Sequence, residues 1–177
     1  MKTLNTANMM LCALFAALSA ILSQISVPIG PVPINLTHIS VFLAAGLLGA
    51  RYGVVSQAVF VFLGAVGVPV FSKFSGGIGT ILGPTGGFIA GYIACVFLTG
   101  LIIDRYGKSV RVLSAAMICG LLATYLPGIL WFMHVAGTGA AEALFICVIP
   151  FLPGDALKIV LSVILVKRLS PLLRQQA

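Results

Sequence analysis

Acidic residues are nearly absent from this sequence: Asp and Glu together number three among 177 residues. Charged residues of both signs make up only 7% of the chain, whereas soluble domains average about 25%. So few charges exclude an ordinary soluble domain with a solvated surface. They also leave few groups for catalysis, because the sequence contains no His-Glu-x-x-His, no Gly-x-Ser-x-Gly and no pair of intramembrane aspartates.

Paired cysteines and nucleotide-binding motifs are lacking as well. The four cysteines, Cys12, Cys95, Cys119 and Cys147, lie within apolar runs without a CxxC pair, so we expect buried small side chains and no metal or cofactor. No Gly-x-x-x-x-Gly-Lys-Ser/Thr loop is present, which argues against an ATP site. The net charge of +7 comes from scattered basic residues without a stacking platform, so nucleic acid is not an expected partner.

What the sequence has is apolar length. Hydrophobic residues make up 60% of the chain and its mean hydropathy is +1.20, which indicates one integral-membrane domain covering residues 1–177. A membrane helix needs about 20 apolar residues, or fewer where loops are partly buried. The pattern predicts an all-α membrane protein with six transmembrane helices, at about Ala7–Val27, Leu36–Leu48, Val54–Val68, Phe88–Ile103, Val112–Met133 and Pro153–Leu169.

Details of these spans follow from proline, glycine and flanking charge. The first run follows Lys2 but lacks an evident cleavage site, so we interpret it as a span and not as a signal peptide. Pro127-Gly128 predicts a kink in the fifth span, and residues 140–149 predict a short interfacial helix.

Basic residues predict the orientation. With six spans both termini share one side, and that side carries most of the Lys and Arg, which favours cytoplasmic termini. The residues concerned are Lys2, Arg51, Arg105, Lys108, Arg111, Lys167, Arg168 and Arg174. Three unusual segments then fall on the outer side: the proline-rich connector 28–35, the glycine-rich segment 69–87 and the turn holding Asp155 and Lys158. Together they predict a binding site at the outer face.

Asp155 and Lys158 are the centre of that predicted site. If Pro153 and Gly154 open a helix, Asp155 falls in its first turn and Lys158 lies one turn on, on the same face. A charge at the centre of a bilayer costs about 2.5–3.5 kcal/mol, so such residues face a partner, a cavity or a substrate. Two interpretations remain open here: a structural ion pair, or a neutral pair that receives a small polar solute.

Other candidate residues have ordinary interpretations beside the functional ones. Ala13-x-x-x-Ala17 and Ala16-x-x-x-Ala20 allow close helix approach, either within the protein or against a partner. A histidine at position 38 is more typical of a hydrogen-bonded interior than of a ligand. Tyr125, Trp131 and Phe132 are explained by an aromatic belt at the membrane interface.

Four blocks in order resemble the BioY family, the biotin-binding S components of bacterial energy-coupling factor (ECF) vitamin transporters. They are Gly30-Pro31-Val32-Pro33-Ile34, Ser75-Gly76-Gly77, Leu82-Gly83-Pro84-Thr85-Gly86-Gly87 and Pro153-Gly154-Asp155-x-x-Lys158. The resemblance implies a six-helix S-component bundle in the bacterial cytoplasmic membrane that captures biotin at its outer face and delivers it inward, without enzymatic activity. It also implies a membrane-embedded T component, docked on Ala13, Ala16, Ala17 and Ala20, and two ATPase subunits.

The resemblance also assigns site residues. Asp155 is expected to accept hydrogen bonds from the ureido N–H groups of biotin, and Lys158 to neutralise a ligand oxygen. Phe88 or Tyr92 would cover the rings, and the glycine-rich segment would supply backbone contacts. The full expected set is Asn35, Phe74, Ser75, Gly76, Gly77, Gly83, Thr85, Gly86, Gly87, Phe88, Tyr92, Asp155 and Lys158.

Three alternatives stay open from sequence. The same scaffold would suit another vitamin, or the chain would act as a solitary biotin carrier without ATPases. An intramembrane enzyme acting on lipid is the third, and the scarcity of acids disfavours it.

Overall fold

The computed structural model describes residues 6–28 and 30–174. Lys2 and the side chain of Arg174, both predicted on the inner side, lie outside the described part of the chain. The helices are α1 (Thr6–Gln24), α2 (Thr37–Ala65), α3 (Ile78–Leu82), α4 (Gly86–Tyr106), α5 (Val110–Ala136), α6 (Ala140–Cys147) and α7 (Leu152–Arg174). Two short strands, β1 (Ser26–Val27) and β2 (Ile34–Asn35), pair antiparallel. The prediction of a mostly helical protein is confirmed.

The long helices have the dimensions of membrane spans. Among the described residues, four helices (α1, α2, α4 and α5) are long and apolar enough to cross a bilayer. The pair α6 and α7 makes a fifth candidate, bent by 51° where the two helices meet. Large apolar side chains such as Leu14, Phe62 and Leu126 are exposed on the outside of the bundle. Because exposing so much apolar surface to water is unfavourable, we expect these faces to contact lipid.

The helix α2 reverses direction inside its span of 29 residues. Gly49 has non-helical angles, φ 78° and ψ −179°. A β-carbon on Gly53 would lie 3.4 Å from the carbonyl oxygen of Ala44, whereas a continuous helix separates such residues by roughly 13 Å. The arms 37–48 and 50–65 therefore run antiparallel, in the places where the sequence predicts two short spans.

A buried polar cluster ties α1 to both arms of α2. The hydroxyls of Ser19 and Ser40 lie 2.6 Å apart, and Gln57 Nε2 donates to Ser19 Oγ at 3.0 Å. All three residues are fully buried. Since these groups satisfy one another away from water, they fix how the first three helical segments pack.

The reversal at Gly49 is stabilised by an acid from α4. Asp104 Oδ2 accepts a hydrogen bond from the backbone N–H of Ala50 at 2.9 Å. A β-carbon at Gly49 would lie 2.8 Å from Asp104 Oδ1, and the φ of 78° already disfavours other residues. Glycine is therefore required at this turn, and one of the few acids of the chain is used to hold it.

We expect Asp104→Ala to destabilise the fold by about 1–2 kcal/mol, because the Ala50 N–H loses a charged acceptor. Thermal unfolding of the purified protein in detergent would measure this as a lower midpoint. Glu142→Ala is the matched control, since Glu142 is exposed on α6. Equal melting of the two variants would contradict this role of Asp104.

Contacts between α4 and α5 depend on glycine. A β-carbon on Gly87 would lie 2.4 Å from the carbonyl oxygen of Pro127, and one on Gly91 would lie 2.9 Å from Thr124 Cα. The two helices therefore approach each other backbone to backbone, as small residues permit in membranes. Helix α5 remains helical through Pro127.

Contacts between loops define the two ends of the bundle. Lys108 Nζ donates to Ser170 Oγ at 3.1 Å, so the α4–α5 loop meets the end of α7. The Gly49 turn joins them through Asp104. Most of the basic residues lie at this end. The strand pair, the segment 66–85 and the start of α7 lie at the opposite end.

Candidate functional site

A cavity of about 310 Å³ opens at the end opposite the basic loops. Its walls come from the connector before α2, the start of α2, the segment 71–85, α4, α5 and the start of α7. This volume lies at the lower end of the range for small-molecule sites, about 300–1,000 Å³. The three segments that the sequence marks as unusual all contribute to it.

Asp155 and Lys158 form an ion pair beside this cavity. Lys158 Nζ donates to Asp155 Oδ1 at 2.7 Å, and the two residues are 4% and 1% exposed. The hydroxyl of Tyr125 donates to the other carboxylate oxygen. Lys158 lines the cavity, whereas Asp155 lies behind it. Since an ammonium has three donors and one is used here, Lys158 keeps donors for a ligand oxygen.

Aromatic side chains form much of the remaining wall. His38 lies edge-on to Tyr92, with ring centroids 5.2 Å apart, and Phe60 lies edge-on to Phe71 at 5.6 Å. Phe88 also lines the cavity and is buried. An apolar wall with one buried polar pair suits a ligand that is mainly apolar and carries a polar group at one place.

The connector before α2 closes one side of the cavity. Residues 26–27 and 34–35 pair as β1 and β2, so the prolines between them form a short, ordered crossing. Pro31, Val32 and Pro33 line the cavity. Asn35 joins this connector to the next loop, because its Nδ2 donates to Ser72 Oγ at 2.8 Å.

The turn 71–75 forms another part of the rim. Lys73 and Phe74 both have positive φ, 61° and 54°. The turn is held by a hydrogen bond from the Phe74 N–H to Gln24 Oε1 at 2.9 Å and by a bridge between Phe71 and Ser75. Non-glycine residues in this conformation cost about 1–2 kcal/mol each, so their presence at a cavity rim is notable.

Seven of the thirteen residues expected to bind substrate line the cavity: Asn35, Ser75, Gly83, Thr85, Phe88, Tyr92 and Lys158. The other six are placed outside its lining: Phe74, Gly76, Gly77, Gly86, Gly87 and Asp155. Phe74 is 72% exposed. The role of all thirteen in binding stays a prediction.

Three of the glycines outside the lining have a packing reason. A β-carbon on Gly86 would lie 1.6 Å from the carbonyl oxygen of Ile81, and one on Gly76 would lie 2.4 Å from that of Val68. Gly87 meets α5 as described above. These glycines let the loop fold tightly, and so shape the cavity without forming its surface.

Sequence reasoning misses two cavity residues, Tyr125 and His38, and one residue that supports the cavity from outside, Trp131. The sequence predicts Tyr125 as part of an aromatic belt, whereas in the structure its hydroxyl donates to Asp155. The sequence predicts the same for Trp131, whereas in the structure its Nε1 donates to the carbonyl of Gly83 at 3.0 Å and so anchors the loop. His38 Nε2 is buried without a hydrogen-bond partner among the described residues, in contrast to the expected hydrogen-bonded interior histidine. No local pattern distinguishes these residues, because their partners lie on other helices.

The small residues of α1 divide between two faces. Ala13 and Ala17 are exposed, together with the large apolar side chains of Met10 and Leu14. Ala16 is 3% exposed and packs in the core, and Ala20 is partly buried. An outward apolar face containing small residues is thus present, formed by one of the two predicted alanine pairs.

Comparison with known proteins gives consistent relatives. The sequence profile of the BioY family matches residues 1–175. A probable biotin transporter BioY of Pyrococcus horikoshii is 44% identical over 159 residues, covering 90% of this chain and 93% of that protein. The biotin transporter BioY of Rhizobium etli is 36% identical over 173 residues, covering 92% of each chain.

A solved structure shares the fold. The crystal structure of the S-component for biotin from an ECF-type ABC transporter superposes with a TM-score of 0.86 at 29% identity, covering 92% of this chain and 90% of that one. Together with the family profile, this match leads to one conclusion. This chain is a multi-pass membrane protein of the BioY family.

Proposed function

We propose that this protein is a biotin uptake S component, which captures biotin at the outer face of the cytoplasmic membrane and passes it inward unaltered. The observation that carries the proposal is the buried Asp155–Lys158 pair at an aromatic cavity of about 310 Å³. The relatives named as biotin transporters, and the solved S-component for biotin, support the choice of ligand.

The cavity matches the chemistry of biotin. Biotin has a polar ureido group on an apolar bicycle, an apolar tail and a carboxylate. We assign Lys158 as the donor to a ligand oxygen, because it lines the cavity and retains free donors. Asp155 and Tyr125 hold Lys158 in place, since both carboxylate oxygens are already engaged. A ligand without the matching group would leave this buried ammonium unsatisfied, which discriminates strongly.

Isothermal titration of the purified protein with biotin, thiamine and riboflavin tests this assignment. We expect saturable one-to-one binding of biotin and no measurable heat of binding with the other two at the same concentrations. Preferential binding of thiamine or riboflavin would show that the protein is specific for a different vitamin and would overturn the proposal.

We further propose a six-span topology with both termini in the cytoplasm. In this topology the two arms of α2 are two short spans, and the bent pair of α6 and α7 is one span. With α1, α4 and α5 they make six. The support for orientation is charge: Arg51, Arg105, Arg111, Lys167 and Arg168 belong to the end remote from the cavity. The membrane concerned is the cytoplasmic membrane.

The proposed partners are an ECF T component and two ATPase subunits, with the exposed face of α1 as the docking surface. Ala13 and Ala17 are exposed there, so another helix can approach closely. We expect Ala13→Trp to reduce co-purification of the T component at least tenfold while biotin binding is unchanged. The physical reason is steric, because an indole separates the two helices.

Ala94→Trp is the matched control for this experiment, because Ala94 is also exposed but lies on α4. Co-purification should remain normal in that variant. Unaffected assembly of Ala13→Trp would place the interface elsewhere. Biotin uptake by cells that lack ATPase subunits would identify a solitary carrier instead.

A further inference from the structure

Lys73 is a second cation at the cavity, and it differs from Lys158 in depth and in charge balance. Both lysines line the cavity. Lys158 is 4% exposed and its charge is compensated by Asp155. Lys73 is exposed, and among the described residues it has no ion-pair partner. The uncompensated positive charge of the cavity is therefore at its rim.

The backbone holds Lys73 in an unfavourable conformation. Its φ of 61° and ψ of 35° lie in the left-handed region, which glycine adopts without steric cost. The turn is maintained by Phe74 N–H donating to Gln24 Oε1 at 2.9 Å and by Ser75 Oγ donating to the Ser72 carbonyl at 2.9 Å. Strained residues that the surroundings hold in place are concentrated at ligand sites, so this turn calls for a functional reason.

The acids of the chain leave Lys73 available to an anion. Of the three acidic residues, Asp155 is committed to Lys158 and Tyr125, and Asp104 holds the turn at the opposite end. Glu142 is exposed on α6 and does not line the cavity. A carboxylate entering the cavity thus meets a neutral pair at depth and, at the rim, an ammonium with no ion-pair partner in the described part of the chain.

We propose that Lys73 binds the carboxylate of the ligand, so that the ligand enters with its ring system toward Lys158 and its acid end outward. The inference rests on the proposed function, since it takes biotin as the ligand. The neutral ureido group then meets the neutral Asp155–Lys158 pair, and the anion meets the uncompensated cation. Lys73 is in this view the residue that distinguishes the free acid from its neutral derivatives.

The test compares biotin with biotin methyl ester, which has the same rings and tail but no charge. Isothermal titration of the wild-type protein should show a roughly two- to fivefold preference for the acid, as expected for a solvent-accessible charged contact. Lys73→Gly should lower the affinity for biotin to that of the ester and leave the affinity for the ester unchanged. Lys73→Arg should retain the preference, and raising the salt concentration should reduce it.

Lys73→Gly is expected to fold well, because glycine suits the left-handed turn, and Lys73→Gln serves if it does not. The inference is overturned if the preference survives either uncharged variant, or if these variants weaken acid and ester equally. Equal binding of acid and ester by the wild-type protein overturns it too, while leaving the proposed function intact. Failure of the wild-type protein to bind either compound overturns the proposed function and this inference with it.

Discussion

Lys158→Met is expected to weaken biotin binding by about thirtyfold or more, in a protein that is less stable but still folds. Methionine keeps much of the side-chain length but removes every donor, so the ligand oxygen loses its charged partner in a buried site. Truncating one partner of a buried, hydrogen-bonded charge pair costs about 2–5 kcal/mol. Titration calorimetry measures the affinity, and Lys167→Met at the basic end is the matched control.

The double variant Asp155→Asn with Lys158→Met distinguishes a role of the ion pair in ligand binding from a role in stabilising the fold. Each single change leaves one buried charge without compensation and destabilises the fold by about 3–5 kcal/mol. Removing both charges should restore most of the thermal stability, because no unpaired charge remains. Biotin binding should stay lost. Wild-type affinity in the double variant would show that the pair only braces the helices.

Gly87→Val should destabilise the fold strongly although Gly87 lies outside the cavity lining. A β-carbon there would lie 2.4 Å from the Pro127 carbonyl and 2.5 Å from Trp131 Cβ, so backbone must move. Overpacking typically costs about 1–3 kcal/mol, and a rigid backbone neighbour places this change at the upper end. Phe88 follows directly and lines the cavity, so biotin binding should fall as well.

Gly139→Val is the matched control, because a β-carbon on Gly139 meets nothing within 4 Å and its backbone is extended. Thermal unfolding in detergent and biotin titration of the two variants give the comparison. Gly139→Val should melt near the wild-type protein. A Gly87→Val protein of normal stability and affinity would contradict the backbone-to-backbone packing of α4 on α5.

Sequence spacing alone predicts an interaction when both of its residues lie on the same helix. Asp155 and Lys158 are three residues apart, so their pairing follows from helical periodicity alone, and the structure gives 2.7 Å. The mostly helical fold follows from apolar run length. The reversal near Gly49 lies between the two short spans that the sequence predicts at Leu36–Leu48 and Val54–Val68.

Sequence spacing does not predict hydrogen bonds between residues that are far apart in the chain. Tyr125 bonds Asp155 across 30 positions, and Asp104 bonds the Ala50 N–H across 54. Glycine in the segment 69–87 predicts close backbone approach but not what approaches. A β-carbon on Gly86 or Gly87 would collide with a backbone oxygen, at 1.6 Å and 2.4 Å, whereas Gly83 lines the cavity and its nearest backbone oxygens would lie 3.3 Å away. Only the packed helices distinguish these cases.

A structure of this protein with biotin bound would test the central claim most directly. The account predicts Lys158 Nζ within about 2.7–3.2 Å of a ligand oxygen, with Asp155 and Tyr125 still bonded behind it. Biotin located elsewhere, or located in the cavity with the Lys158 ammonium turned away from it, would contradict the account.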